Sequence, residues 1–218
     1  MRIETPKFAS IKSKGDEKMI RNRLMLAFLA PVLLLVSACG INSIPTAEEQ
    51  AKAEWADVQA AFQRRANLIP NLVETVRGAA SSEERILTNV TQARAAATSI
   101  QLTGEQLRDP EAMRRFSEAQ NQLRAAIIPL QRLQEAYPNL QSQANFGTLM
   151  SQLEGTENRI NIAIQDYNRA VQNYNTTIRT FPSVIGARIF YGSQPMTPYQ
   201  AATPGAEVAP PVNFGNRQ

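Results

Sequence analysis

Apolar residues recur along this chain with a helical period, and the clearest run lies near its end. From Phe146 to Phe181 every seventh position is apolar or aromatic: Phe146, Leu153, Ile160, Tyr167, Tyr174 and Phe181. A second row lies between them, at Leu149 or Met150, Ala163 or Ile164, Ala170 or Val171, then Ile178. The mean spacing near 3.5 gives one apolar seam on a helix, uninterrupted by proline. At 1.5 Å per residue such a helix is about 54 Å long. A seam of that length is not left in water, so the rest of the chain is expected to cover it.

Three earlier segments share the period. Thr46-Ala47-Glu48-Glu49 reads as a capping box that opens a helix to about Ala79, with Trp55, Phe62, Ile69 and Val76 inward. Pro70 lies inside this helix. It is expected to kink the helix or split it near Leu68, because proline lacks the N–H and crowds the preceding turn. Ser81-Ser82-Glu83-Glu84 reads as a second capping box, for a helix to about Gln101 with Ile86, Val90, Ala93, Ala97 and Ile100 inward. Asp109-Pro110 is a cap and first-turn pair for a third helix, with Phe116, Leu123, Leu130 and Tyr137 at sevenfold spacing. Pro129 predicts a second kink, and Tyr137-Pro138 an end.

Short connections make neighbouring helices antiparallel. The predicted fold is all-α: an antiparallel up-down bundle of four helices, three to four of them long, kinked at Pro70 and Pro129. Ser183 to Arg188 makes a turn or two of helix at most. From Gly192 onward Pro195, Pro198, Pro204, Pro210 and Pro211 lie among small and polar residues, the composition of a disordered tail with extended character. The expected organisation is a leader (1–38), a tether (39–45), the bundle (46–191) and a proline-rich tail (192–218).

Composition agrees with a bundle: 43% hydrophobic but only 6% aromatic, and rich in alanine. The net charge of +4 belongs to residues 1–38, with seven bases and three acids; residues 39–218 carry sixteen of each. Nucleic-acid binding, which needs a basic stripe on the folded part, is not expected. There is no histidine, which removes the commonest metal ligand and general base. No phosphate loop or zinc pattern appears, and no cofactor, metal or catalytic residue is predicted. Glu111, Glu118, Glu154, Glu157 and Asp166 read as solvated faces; a carboxylate-dependent hydrolase built on the helix-four acids is the least favoured function.

The leader points to a compartment. Met19 to Ala38 has a basic start (Arg21, Arg23) and an apolar stretch from Leu24 to Val36. At about 13 residues that stretch is short of the ~20 needed to span a bilayer. Val36-Ser37-Ala38-Cys39 then resembles the lipobox of bacterial lipoproteins, with the chain's one cysteine at the lipidated position. The resemblance implies cleavage between Ala38 and Cys39 and lipidation of Cys39. Residues 1–18 are charged and polar and precede a signal of ordinary proportions, so Met19 is the expected true start, with an extension of the n-region as the alternative. Gly40 in place of aspartate leans towards the outer membrane rather than the inner. The expected location is the cell envelope, anchored by lipid and facing the periplasm.

Two polar patterns stand out in the helices. Asn161, Asn168 and Asn175 repeat every seven residues beside the seam. They make either an interhelical hydrogen-bond ladder that sets register or a polar stripe that receives a partner. Arg65 falls on the seam of the first helix, where a charge needs a partner; Glu154 or Glu157 is the candidate. The alternative is that a kink at Pro70 exposes Arg64 and Arg65 to a ligand or lipid phosphate.

The segment Arg64-Arg65-Ala66-Asn67-Leu68-Ile69-Pro70-Asn71-Leu72-Val73 resembles the R-x-D/N-L-I-P-N-L-V signature of LemA family proteins. Ala93-Arg94, Tyr137-Pro138-Asn139-Leu140, Thr156-Glu157-Asn158-Arg159-Ile160, Tyr167-Asn168, Tyr174-Asn175 and Phe181-Pro182 resemble its later motifs, in order. The resemblance implies a helical bundle held outside the cytoplasmic membrane and no agreed enzymatic activity. Members usually carry an N-terminal transmembrane helix, where this chain has a lipobox. Arg64, Arg65, Asn67, Pro70, Asn71 and the three asparagines are the candidate structural or interaction residues. The expected function is a non-catalytic scaffold or interaction module with an envelope protein partner. Membrane shaping or lipid contact, with self-association on the membrane, is the alternative.

Overall fold

The computed structural model describes residues 42–137, 140 and 144–200. Four long helices carry the fold: α1 (Ser43–Ala79), α2 (Glu84–Ser99), α3 (Pro110–Ala136) and α4 (Ala144–Thr177). No strand occurs among the described residues, and the class is all-α. The antiparallel pair of α1 and α4 forms the most extensive packing; α2 packs on α3 and on α1. Trp55 packs against Tyr167 with centroids 5.0 Å apart and the rings tilted by 59°, and Arg65 meets Glu157 at 2.9 Å. Ten residues forward on α1 thus match ten back on α4. Ser43 lies against Ser183, so the start of α1 sits at the end of α4, as the up-down arrangement requires.

The core has two sections. One, at the Ser43 end, is aromatic: Trp55, Phe62, Phe116 and Tyr167 pack there with Ile44 and Tyr174. Its Trp55–Phe116 and Phe62–Phe116 ring pairs are edge-on at 5.2 and 5.4 Å, a geometry worth about 0.5–1.5 kcal/mol each beyond burial. The other is aliphatic, with Ile69, Leu72, Val76, Leu123, Leu130 and Leu153 closed by Phe146.

Several expectations are corrected. α1 begins a turn before Thr46, because Ile44 and Ala47 are buried in the aromatic section and hold that turn. The Thr46 hydroxyl donates to the Asn42 carbonyl at 2.8 Å, and Glu49 pairs with Lys52, so no capping box forms. α1 runs unbroken through Pro70, so the split near Leu68 does not occur, and α3 likewise runs on through Pro129. The second proposed box is a 3-10 turn, Ser81–Glu83. Glu83 there accepts a hydrogen bond from the Tyr137 hydroxyl at 2.9 Å, which ties the α2 entrance to the end of α3. The third cap is as expected: Asp109 Oδ1 accepts from the Glu111 N–H at 2.9 Å.

At its other end α4 stops at Thr177, short of Phe181. Pro182 disfavours helix at the residue before it, and Phe181, expected on the seam, is 76% exposed. A short helix α5 (Ser183–Gly186) continues into a π-helical turn, Ala187–Tyr191. Gly192 then reverses the chain with a left-handed φ of 55°. Residues 192–200, expected as the start of a solvated tail, instead lie in extended form along the bundle, with Met196 and Tyr199 buried. Residues 201–218 lie outside the described residues.

Candidate functional site

Arg65 is the largest fully buried polar side chain, 2% exposed. Its Nη1 donates to Glu157 Oε1 of α4 at 2.9 Å. Its Nη2 donates to the side-chain oxygen and the carbonyl of Gln120 on α3, at 2.9 and 3.1 Å. Gln120 Nε2 in turn donates to the Ala97 carbonyl of α2 at 3.1 Å. One guanidinium thereby links all four helices at mid-bundle, and it lies 5.1 Å over the Phe62 ring. Of the two proposed partners Glu157 is the one, and Glu154 is exposed. The ligand-exposed alternative for Arg65 is excluded by its burial; Arg64 is exposed.

The rest of the signature has a local logic. Pro70 has no N–H, so the Ala66 carbonyl one turn earlier lacks its helical donor. Arg94 Nε of α2 donates to that carbonyl at 2.8 Å. The arginine of the Ala93-Arg94 pair therefore replaces the hydrogen bond that the proline removes. Asn67 and Asn71 are exposed; Asn67 Oδ1 accepts from Gln63 at 2.8 Å, and the Asn71 carbonyl accepts from Thr75 at 2.8 Å.

The asparagine repeat is used in a way neither expectation named. Asn168 Nδ2 donates to the Tyr199 carbonyl at 3.0 Å, and its Oδ1 accepts from the Tyr199 N–H at 2.8 Å. Asn175 repeats the pair with Met196, both bonds at 2.9 Å. Beside each asparagine its neighbouring tyrosine adds a bond: the Tyr167 hydroxyl donates to the Thr197 carbonyl at 2.8 Å, and the Tyr174 hydroxyl to the Gln194 carbonyl at 3.1 Å. The far side of this extended segment (residues 192–200, the strap) is held too: the Thr197 N–H donates to the Leu107 carbonyl, and the Ser117 hydroxyl to the Gln200 carbonyl, both at 2.8 Å. The ladder thus runs from α4 to the chain's own extended segment, not between helices. Asn161, one heptad earlier, is exposed.

The periods explain the fit. Seven helical residues rise about 10.5 Å, and three extended residues about 9–10 Å. The strap reads Pro195-Met196-Thr197-Pro198-Tyr199-Gln200, a proline every third position. Each proline precedes a rung residue whose N–H is used, so the missing donors fall where none is needed. The three-residue proline spacing is the sequence signal that marks Met196 and Tyr199; no such signal marks Ser117. Tyr199 packs on Phe62 and Phe116, with centroids at 6.1 and 6.5 Å. Burial pushes the Tyr167 hydroxyl well above the ordinary tyrosine range and raises that of Tyr199.

The remaining surface offers little chemistry. A cleft of about 220 Å³ between α1, α2 and α3 is lined by apolar and amide side chains, including Gln59, Gln63 and Gln120, and by no charged group. Glu111 and Glu118 pair with Arg114, and Asp166 with Arg169. Arg114 holds the Glu111 carboxyl below the usual range. No cluster of three metal-ligating side chains occurs among the described residues, and no helix there is long and apolar enough to cross a membrane. Ala38 and Cys39 lie outside the described residues, as do the leader, the residues around Asn139 and the end of the tail.

Comparison with curated proteins gives no match. The LemA family model matches residues 54–214, which takes in the Arg65 node, the Pro70–Arg94 pair, the asparagine rungs and the strap. The chain belongs to the LemA family.

Proposed function

We propose that this protein is a lipid-anchored envelope protein whose helical bundle serves as a non-catalytic interaction and scaffold module. The observation that supports this reading is the asparagine face of α4. It holds an extended segment through paired hydrogen bonds to main-chain groups of Met196 and Tyr199, with only those two side chains buried beneath. A face that recognises main chain accepts many extended sequences, the logic by which sheet edges and grooves bind peptides. The strap is then the resident occupant, and Asn161 continues the same face toward an envelope protein. Anchoring rests on the leader pattern and on Cys39, with more than one acyl chain giving stable attachment.

The test places a photo-crosslinking residue at Asn161 in the full chain, in cells. A reproducible adduct with an envelope protein, lost when Cys39→Ser leaves the chain unlipidated and mislocalised, is the expected result. Adducts only with the chain itself overturn the scaffold reading. Unchanged mature mass and membrane partition in Cys39→Ser overturn the anchor.

A further inference from the structure

The end of the bundle where α1 begins carries a patch that neither the core nor the asparagine face uses. Phe181, Ile189 and Phe190 are 76%, 71% and 68% exposed, and Ile185 and Tyr191 are exposed beside them. The segment that bears them is itself seated: Ala187 is buried in the aromatic section with Ile44, and Ser183 Oγ lies 3.3 Å from Ser43 Oγ. Its inward side is made of small residues and its outward side of large apolar ones. That is the reverse of what a surface helix in water requires. Arg179 and Arg188 flank the patch, both exposed and neither ion-paired among the described residues.

Chain length indicates what covers it. Cys39 precedes Ser43 by four residues. At no more than about 3.6 Å per residue, its Cα lies within roughly 14 Å of the start of α1. An acylated Cys39 sits at a bilayer surface, and the patch is at the same end of the bundle. Aromatic and aliphatic side chains bordered by arginine are the composition of an interfacial anchor, which sinks about 5–10 Å into the headgroup boundary. We propose that residues 181–191 form a second membrane contact, inserting their apolar side chains into an anionic lipid surface and fixing the bundle upright. This inference rests on the lipid-anchored reading above. Its consequence is that the Phe146 end of α4 points away from the membrane.

The experiment uses the lipidated full chain, in which acylation occupies the Cys39 thiol. Ile189→Cys is labelled with an environment-sensitive fluorophore in vesicles of phosphatidylcholine and phosphatidylglycerol; Gln152→Cys, exposed near the Phe146 end, serves as comparison. Blue-shifted emission at 189, quenched by acyl-chain nitroxides and shielded from aqueous iodide, is expected, with the opposite at 152. A label at 189 in bulk water on vesicle-bound protein overturns the docking and leaves the anchor standing. A blue-shifted label that lipid nitroxides do not quench means that a second copy or the chain's own residues 201–218 cover the patch, and also overturns it. Intact protein that stays off the vesicles overturns both readings.

Discussion

Arg94 and Pro70 lie on different helices and act on one carbonyl. Without the N–H of residue 70, the Ala66 oxygen depends on the Arg94 guanidinium at 2.8 Å. Arg94→Ala should leave that acceptor without its partner, at a cost of about 1–3 kcal/mol. In a Pro70→Ala background the residue-70 amide supplies the helical bond, so the same substitution should cost less. A double-mutant cycle by chemical denaturation reads the difference, with about 1 kcal/mol of coupling expected. Strict additivity would mean that the proline and the arginine are independent. The sequence displays both residues within motifs but cannot display their relation, which depends on how α2 lies across α1.

At the scale of the element, the strap depends on the tyrosines as much as on the asparagines. Tyr167 and Tyr199 have folded pKa values raised by burial. A raised value means that the fold favours the protonated phenol. Its contribution is therefore complete below about pH 10, the unfolded value, and is lost as pH rises through the folded one. Tyrosinate absorbance should show these two hydroxyls ionising late, together with release of residues 192–200. Asn168→Ala with Asn175→Ala should bring that release to lower pH, while α1–α4 keep their helical circular dichroism. If the double variant leaves amide exchange at Met196 and Tyr199 unchanged, the rungs do not hold the strap. The helices themselves were legible, because a 3.5-residue period and the Asp109 cap are local signals. The strap was not: its proline-rich composition is equally that of a solvated tail, and its groove is built from Leu107, Ser117 and α4, all distant in sequence.

For the whole molecule, the Arg65 node is the place where the four helices meet. Removing one partner of a buried ion pair typically costs about 3–5 kcal/mol, since it leaves polar groups unpaired. Arg65→Ala should approach that range, and Arg65→Lys should also destabilise, because a single ammonium cannot serve Glu157 and both Gln120 oxygens in the fork geometry. Glu157→Gln should cost less, because the amide oxygen can still accept from Arg65 Nη1 and Gln120 keeps its bonds to Nη2. Urea unfolding midpoints of the three variants check the order. A fully stable Arg65→Ala would show that apolar packing alone sets the arrangement of the helices. The node also bears on orientation: it locks the register that puts Ser43 beside Ser183 and gathers the apolar 181–191 segment at the end where α1 begins.

By itself the sequence determined the four helices, their antiparallel order and the need of a seam arginine for a partner, with Glu154 and Glu157 as candidates, because periodicity, proline and burial of charge act through neighbours along the chain. It also carried the family motifs. Tertiary structure decided what those signals could not. It selected Glu157 over Glu154, since the α1–α4 register places only one turn opposite Arg65. It drew the start of α1 back to Ser43, because burial of Ile44 outweighs a local capping preference. It turned the asparagine repeat from a ladder between helices into a clamp on residues 194–200, because main-chain groups take hydrogen bonds from whichever side chains the packed bundle brings within reach.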